Sequence, residues 1–221
     1  MEAVVMGETP AHIPLTGDGA GEIRPDLRII ADMVAPGSRV LDIGCERGEL
    51  LAYLVRHKNV DGRGIELSME GVSAGVSNGL SIIQGDADTD LEFYPDDSFH
   101  YAILSRTLQA VRDPLGVLRH LVRIGDRAIV SFPNFGYWRV RLKLLTTGRM
   151  PVTEMLSEPW YATPNIHLCT IADFVALCRK LDIGIERSIV LRRGGRDMRS
   201  GEGGRGNLFG EQAVFLLRRG A

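Results

Sequence analysis

Apolar residues recur along this chain in two alternating rhythms. Leu27, Ile30, Ala31 and Val34 follow helical spacing behind Pro25, which sits where a helix start tolerates it, and Pro36-Gly37 closes that helix. Short, near-continuous apolar runs then alternate with helical stripes. Residues 39–44 (RVLDIG) read as a buried strand, and Leu50, Leu51, Leu54 and Val55 as the stripe of the next helix. Residues 64–67 (GIEL) form a second strand, followed by a helix over 68–77 with Ser68 as its N-cap and Val72 and Val76 four apart. Residues 81–84 and 99–105 are the third and fourth strands. Asp113 caps a helix carrying Leu115, Leu118, Leu121 and Val122, and residues 127–132 are a fifth strand. Alternation of this kind predicts parallel strands joined by right-handed crossovers, and uninterrupted apolar strands predict a sheet covered on both faces.

The last third changes character. Residues 136–147 read as a helix, and 148–167 as a long connection containing three prolines, of the sort that often serves as a binding loop. Thr170 caps a further helix with Asp173 as its acidic partner. Residues 183–191 and 212–217 read as two final strands, making seven. Between them, 194–207 (GGRDMRSGEGGRGN) is so rich in Gly and Arg that mobility is expected. Residues 1–23, rich in Gly, Thr and Pro and without a period, read as a flexible arm, leaving 24–221 as one domain.

Composition narrows the function classes. With a formal net charge of −2, the chain lacks the strong positive charge of a general nucleic-acid binder. The three cysteines, Cys45, Cys169 and Cys178, have neither a disulfide framework's count nor a zinc site's spacing. No apolar run approaches the roughly 18 residues of a membrane span, and the N-terminus lacks the pattern of a signal peptide. A cytoplasmic protein without a membrane or nucleic-acid partner is the expectation.

The informative segment is VLDIGCERGELL, residues 40–51. A strand ends at Asp42-Ile43-Gly44 and a helix starts near Gly48. Glycines here let the backbone approach a ligand, and the helix N-terminus offers free N–H groups. Glu66 ends the second strand, where a carboxylate can accept two hydrogen bonds from a ribose diol. Asp86 follows the third strand, within reach of an adenine amino group. Asp42, Glu66 and Asp86 therefore all fall at the carboxyl edge of the sheet, where open α/β sheets bind ligands. Nicotinamide and adenosyl cofactors share this geometry; the spacing here does not form GxGxxG, which weakens the nicotinamide alternative.

VLDIGCERGELL resembles the first motif of class I S-adenosylmethionine-dependent methyltransferases. The resemblance implies a Rossmann-like class I methyltransferase fold, with a mostly parallel seven-stranded sheet, helices on both faces and an antiparallel last strand. It assigns cofactor contacts, to S-adenosylmethionine or S-adenosylhomocysteine, to Asp42 (the amino-acid moiety), Gly44, Cys45, Gly48, Glu66 (ribose), Leu67, Asp86 (adenine side), Ala87 and Ser105 (beside the methyl group). Two departures stand out. Glu46 occupies the family's middle glycine position, where a side chain resists positive φ. His100 stands where an Asp commonly precedes the fourth strand, and reads as a surface turn.

Longer segments, among them GLSIIQGDADTDL, YPDDSFHYAILSRTLQAVRDP, RAIVSFPNFGYWRVRLKLLTTGRMPVT and WYATPNIHLCTIADF, are similar to the methionine-biosynthesis MetW family. That resemblance implies a methyltransferase-like protein that supports homoserine O-acyltransferase through complex formation, with no defined methyl acceptor. An active methyltransferase on a small molecule is the alternative.

Catalytic machinery is sparse in the sequence. His167 is a candidate base with an ordinary packing role as its competitor. Tyr137, Trp138, Trp160 and Tyr161 would suit an aromatic wall, a core or an interface. Arg139, Arg141, Lys143 and Arg149 give one segment a basic side, either solvated or facing a partner. No residue is assigned as catalytic and none as a metal ligand.

Overall fold

The computed structural model describes residues 23–153, 155–192, 196–199 and 204–220. All of the flexible arm expected over 1–23 except Ile23 lies outside the described residues. Helix α1 (Pro25–Met33) leads into strand β1 (Arg39–Ile43), followed by α2 (Glu49–Lys58), β2 (Asp61–Glu66), α3 (Met69–Ser77), β3 (Ser81–Gln84) and β4 (Phe99–Ser105). Then come α4 (Pro114–Ile124), β5 (Gly125–Pro133), α5 (Trp138–Thr147), α6 (Ile171–Lys180), β6 (Ile183–Arg192), β7 (Arg196–Arg199), α7 (Gly204–Phe209) and β8 (Gln212–Arg219).

The strands form one sheet in the order β3-β2-β1-β4-β5-β8-β6-β7. The first five pair in parallel, while β8 runs antiparallel to both β5 and β6. Seven strands match the apolar runs. The eighth, β7, pairs antiparallel with β6 inside the Gly- and Arg-rich segment expected to be mobile. Main-chain pairing to an edge strand needs no apolar side chains, so hydrophobic patterning has no means of flagging it.

Both faces are covered, by an alternation of period two. Leu41, Ile43, Ala102, Leu104, Val130 and Phe132 face α4 and α6, with Phe174 of α6 against Phe132 and Phe215. Val40, Tyr101, Ile103 and Ile129 face α1 and α2 through Leu27, Ile30, Leu50 and Leu54. The helix starts follow the expected caps. Ser68 Oγ accepts from Gly71 N and Asp113 from Gly116 N, and Thr170 and Asp173 form a reciprocal capping box. His100 corrects its sequence reading: it lies within β4, not in a turn, and its Nδ1 accepts from Arg39 N at 2.9 Å. Among the described residues no helix is long and apolar enough to cross a membrane.

Strand order reverses beside β1, with β2 and β3 on one side and β4 and β5 on the other. Such a switch point opens a crevice between the carboxyl ends of β1 and β4.

Candidate cofactor site at the carboxyl edge of the sheet

The turn leaving β1 is built from left-handed backbone. Gly44, Glu46 and Gly48 have φ of 68°, 51° and 80°. Glycine is required at 44 for a second reason, since a Cβ there would overlap the Thr107 side chain. Glu46 takes the left-handed region that its side chain disfavours, at a cost of about 1–2 kcal/mol. The turn thus carries a positive φ at its middle position without a glycine there. What holds it is a hydrogen bond from Glu46 N to Glu66 Oε2 at 2.9 Å, beside one from Gly44 N to the Ile65 carbonyl at 2.8 Å.

Glu66 is buried at the end of β2. Its second oxygen accepts from Ser68 N at 2.8 Å, so the carboxylate knits the β1 and β2 turns together. Each oxygen accepts one N–H and keeps a second acceptor position for a ligand hydroxyl. The turn after β3 is organised by aspartates. Asp86 pairs with Arg112 at 2.5 Å and accepts from Asp88 N at 2.9 Å. Partial burial disfavours charge on Asp88, but N–H groups of Arg112 and Asp113 outweigh it and hold this carboxyl below its ordinary range.

A cavity of about 330 Å³ lies between these turns, at the lower end of the range for small-molecule sites. Gly44, Glu66, Leu67, Asp86, Ala87 and Ser105 line it. Asp42, Cys45 and Gly48 do not. Asp42 shares the Val40 side of β1 and is 2% exposed, with Oδ1 lacking a hydrogen-bond partner among the described residues. Burial, reinforced by Glu46 and Glu66 and opposed by Arg24, pushes its pKa up to about 7. Cys45 packs with Leu51 and Ile82, and burial drives its thiol strongly upward, away from reactivity. Gly48 is the left-handed N-cap of α2, where a Cβ would press on Leu80 and Ile82.

Other residues complete the cavity wall. Arg106 and Thr107 follow β4, and Arg106, like Glu46, is non-glycine with positive φ, at 59°. Arg106 pairs with buried Asp26 at 3.0 Å and donates to Gln212 at 3.2 Å. Asp26 and Gln212 also bond each other at 3.0 Å across 186 residues of chain, a separation invisible to local patterning. The sequence signals this corner only by two polar residues, Arg106 and Thr107, straight after an apolar strand. The long loop also reaches the site. The Gln109 carbonyl accepts from both Ile166 N and His167 N, which seats Pro164 and Asn165 on the cavity. His167 itself turns away, with Nε2 3.3 Å from the Arg112 carbonyl.

A second cavity of about 260 Å³ adjoins the first. Glu46, Arg106, Pro164 and Asn165 belong to both, and Phe135, Leu156 and Trp160 add apolar wall to the second. Non-glycine residues in sparsely populated backbone regions cluster at functional sites. Here Glu46 and Arg106 stand where the two cavities meet.

The family model for methionine biosynthesis protein MetW matches residues 24–217. This chain belongs to the MetW family. A bifunctional methionine biosynthesis protein MetXA/MetW of Rhodopirellula baltica is 35% identical over 173 residues, which is 74% of this chain and 28% of that protein. The chain therefore spans under a third of that relative's length. Among solved structures it is similar to the complex between the Haloferax volcanii Trm112 methyltransferase activator and a putative methyltransferase. The TM-score is 0.65 at 15% identity, covering 89% of this chain and 90% of that one. It is also similar to an S-adenosylmethionine-dependent methyltransferase of Mesorhizobium loti, with a TM-score of 0.63 at 18% identity, covering 88% and 96%. At such identities the shared property is the fold, which in MetW is that of the class I methyltransferases.

Proposed function

We propose that this MetW protein binds S-adenosylmethionine or S-adenosylhomocysteine at the carboxyl edge of its sheet and acts in methionine biosynthesis together with homoserine O-acyltransferase. The observation that carries the cofactor half is one cavity receiving Gly44 from the end of β1, Glu66 from β2 and Asp86 from the β3 turn. The donors and acceptors suit the ligand. Glu66 offers free acceptor positions to the ribose hydroxyls, Gly44 presents bare backbone on the cavity wall, and Asp86 borders the cavity on the adenine side with its carboxylate shared between Arg112 and Asp88 N. The acids of the site favour a cationic sulfonium ligand. When bound, the cofactor brings an activated methyl group; the chain's own residues position and recognise it.

Calorimetric titration is the direct test of the cofactor half. S-adenosylmethionine and S-adenosylhomocysteine bind while a nicotinamide dinucleotide does not, and absence of any adenosyl binding sinks that half. The partnership half is supported by family membership and by the relative that unites MetXA and MetW in one polypeptide. Co-purification and acyl-transfer assays with homoserine O-acyltransferase test it; no complex and no change in rate overturn it.

One observation favours a second reading, methyl transfer to a small molecule. The second cavity meets the first at Glu46 and Arg106, giving space for an acceptor beside the cofactor. Incubating the cofactor-loaded protein with methyl-labelled S-adenosylmethionine and cell extract yields a labelled small molecule on that reading; a blank result removes it.

A further inference from the structure

Glu46 carries a backbone strain that no bond of its side chain to a described residue offsets. Its φ of 51° lies in the left-handed region, which a glycine occupies freely. The bond that holds the turn, to Glu66 Oε2, comes from the main-chain N–H and does not need the side chain. That side chain is exposed, and among the described residues its carboxylate forms neither a hydrogen bond nor an ion pair. It does line both cavities. Strained residues persist at ligand sites, where the side chain acts on something other than the fold.

The charges nearby leave this carboxylate without a counter-ion of its own. Asp86 and Asp88 pair with Arg112. Glu66 accepts from Glu46 N and Ser68 N. Arg106 shares the cavity wall but pairs with buried Asp26 at 3.0 Å, and Glu46 attracts it less than Asp26 does. A cationic ligand group therefore finds an unsatisfied anion where the two cavities meet. S-adenosylmethionine and S-adenosylhomocysteine differ by one methyl group and by the positive charge it places on sulfur. That sulfur is joined to the ribose through a single carbon. A ribose held by Glu66 thus keeps it close to the turn whose N–H binds the same carboxylate.

We infer that Glu46 is a specificity-determining residue of the cofactor site, its carboxylate selecting the methylated sulfonium over the neutral thioether; the inference rests on the cofactor binding proposed above. Adenine, ribose and amino-acid contacts are common to both ligands and cancel in the ratio of their affinities. The attraction between sulfonium and carboxylate does not cancel. The glycine expected at this position has no such charge. With Glu46 in its place, the protein distinguishes an adenosyl ligand that still carries its methyl group from one that has lost it.

Calorimetry on the full-length protein measures both dissociation constants, for the unaltered chain and for Glu46→Gln. Gln preserves side-chain length and the main-chain bond to Glu66, and melting curves verify the fold. The unaltered protein prefers S-adenosylmethionine by about 5-fold or more, the attraction of two unit charges a few ångströms apart at a hydrated surface. The preference shrinks as salt is raised, because exposed charges are screened. Glu46→Gln brings it below about twofold. If neither ligand binds the unaltered protein, the cofactor reading fails and this inference fails with it. If both bind equally, or if a preference persists unchanged in Glu46→Gln or at high salt, the cofactor reading stands and the role of Glu46 is overturned. Equal loss of affinity for both ligands in the variant assigns Glu46 to the ammonium group they share, and overturns it too.

Discussion

The main-chain N–H of Glu46 donates to Oε2 of Glu66 at 2.9 Å, tying the turn after β1 to the end of β2. This bond ties a non-glycine residue with φ of 51° to the carboxylate best placed to hold a ribose. The shape of the turn and the readiness of the ligand acceptor thus depend on each other.

Backbone strain at position 46 predicts an unusual result. Glu46→Gly relieves the left-handed penalty and raises unfolding free energy by about 1 kcal/mol, whereas β-branched Glu46→Val lowers it by about 1–2 kcal/mol. Urea melts of the three proteins check the order. Equal stability of the Gly and Val variants would show that the residue is not strained.

Glu66→Gln replaces one acceptor oxygen by an NH₂ donor facing either Glu46 N or Ser68 N. Affinity for S-adenosylmethionine falls about 10- to 100-fold, the value of hydrogen bonds to a charged group. Calorimetry on a variant shown by melting to be folded provides the measurement, and unaltered affinity removes Glu66 from the ribose role.

Asp42 gives the stability a pH dependence of definite sign. Its folded pKa, raised by burial to about 7, exceeds the ordinary value of 3.8, so the folded chain binds a proton that the unfolded chain has released between those values. Stability from this group is fully present below the unfolded pKa and is lost as pH rises through about 7, with a total of order 4 kcal/mol. Asp42→Asn, neutral throughout, lacks that loss. The difference between the two proteins in urea unfolding therefore widens in favour of the variant from about pH 4 to about pH 7 and is level above that. Parallel curves would contradict it.

Gly44→Ala adds a methyl group against Thr107 at a residue with φ of 68°. The cost is about 2 kcal/mol or more, from left-handed strain and overpacking together. Thr107, which also lines the cavity, must shift to admit the methyl, so S-adenosylmethionine binding weakens even at temperatures where the variant is fully folded. Tight binding by a folded Ala variant would show that the ligand does not approach this turn.

Much of this architecture was legible locally. Strands buried on both faces reveal themselves as apolar runs, and caps such as Ser68, Asp113 and Thr170 mark helix starts because their side chains satisfy N–H groups within a turn. From such runs the sequence determined seven strands in order, the parallel core and the carboxyl edge on which Glu66 and Asp86 fall. Tertiary structure alone decided which residues meet there. Asp42 was placed at the ligand by its position in the motif, yet the two-residue alternation of β1 turns it into the α1-covered side of the sheet. Arg106 reached the site because Asp26 from the first helix and Gln212 from the last strand hold it, and no short-range pattern records a pairing of distant segments. Periodicity reports what a side chain does within its own element; which elements become neighbours is set by how the whole sheet closes its core.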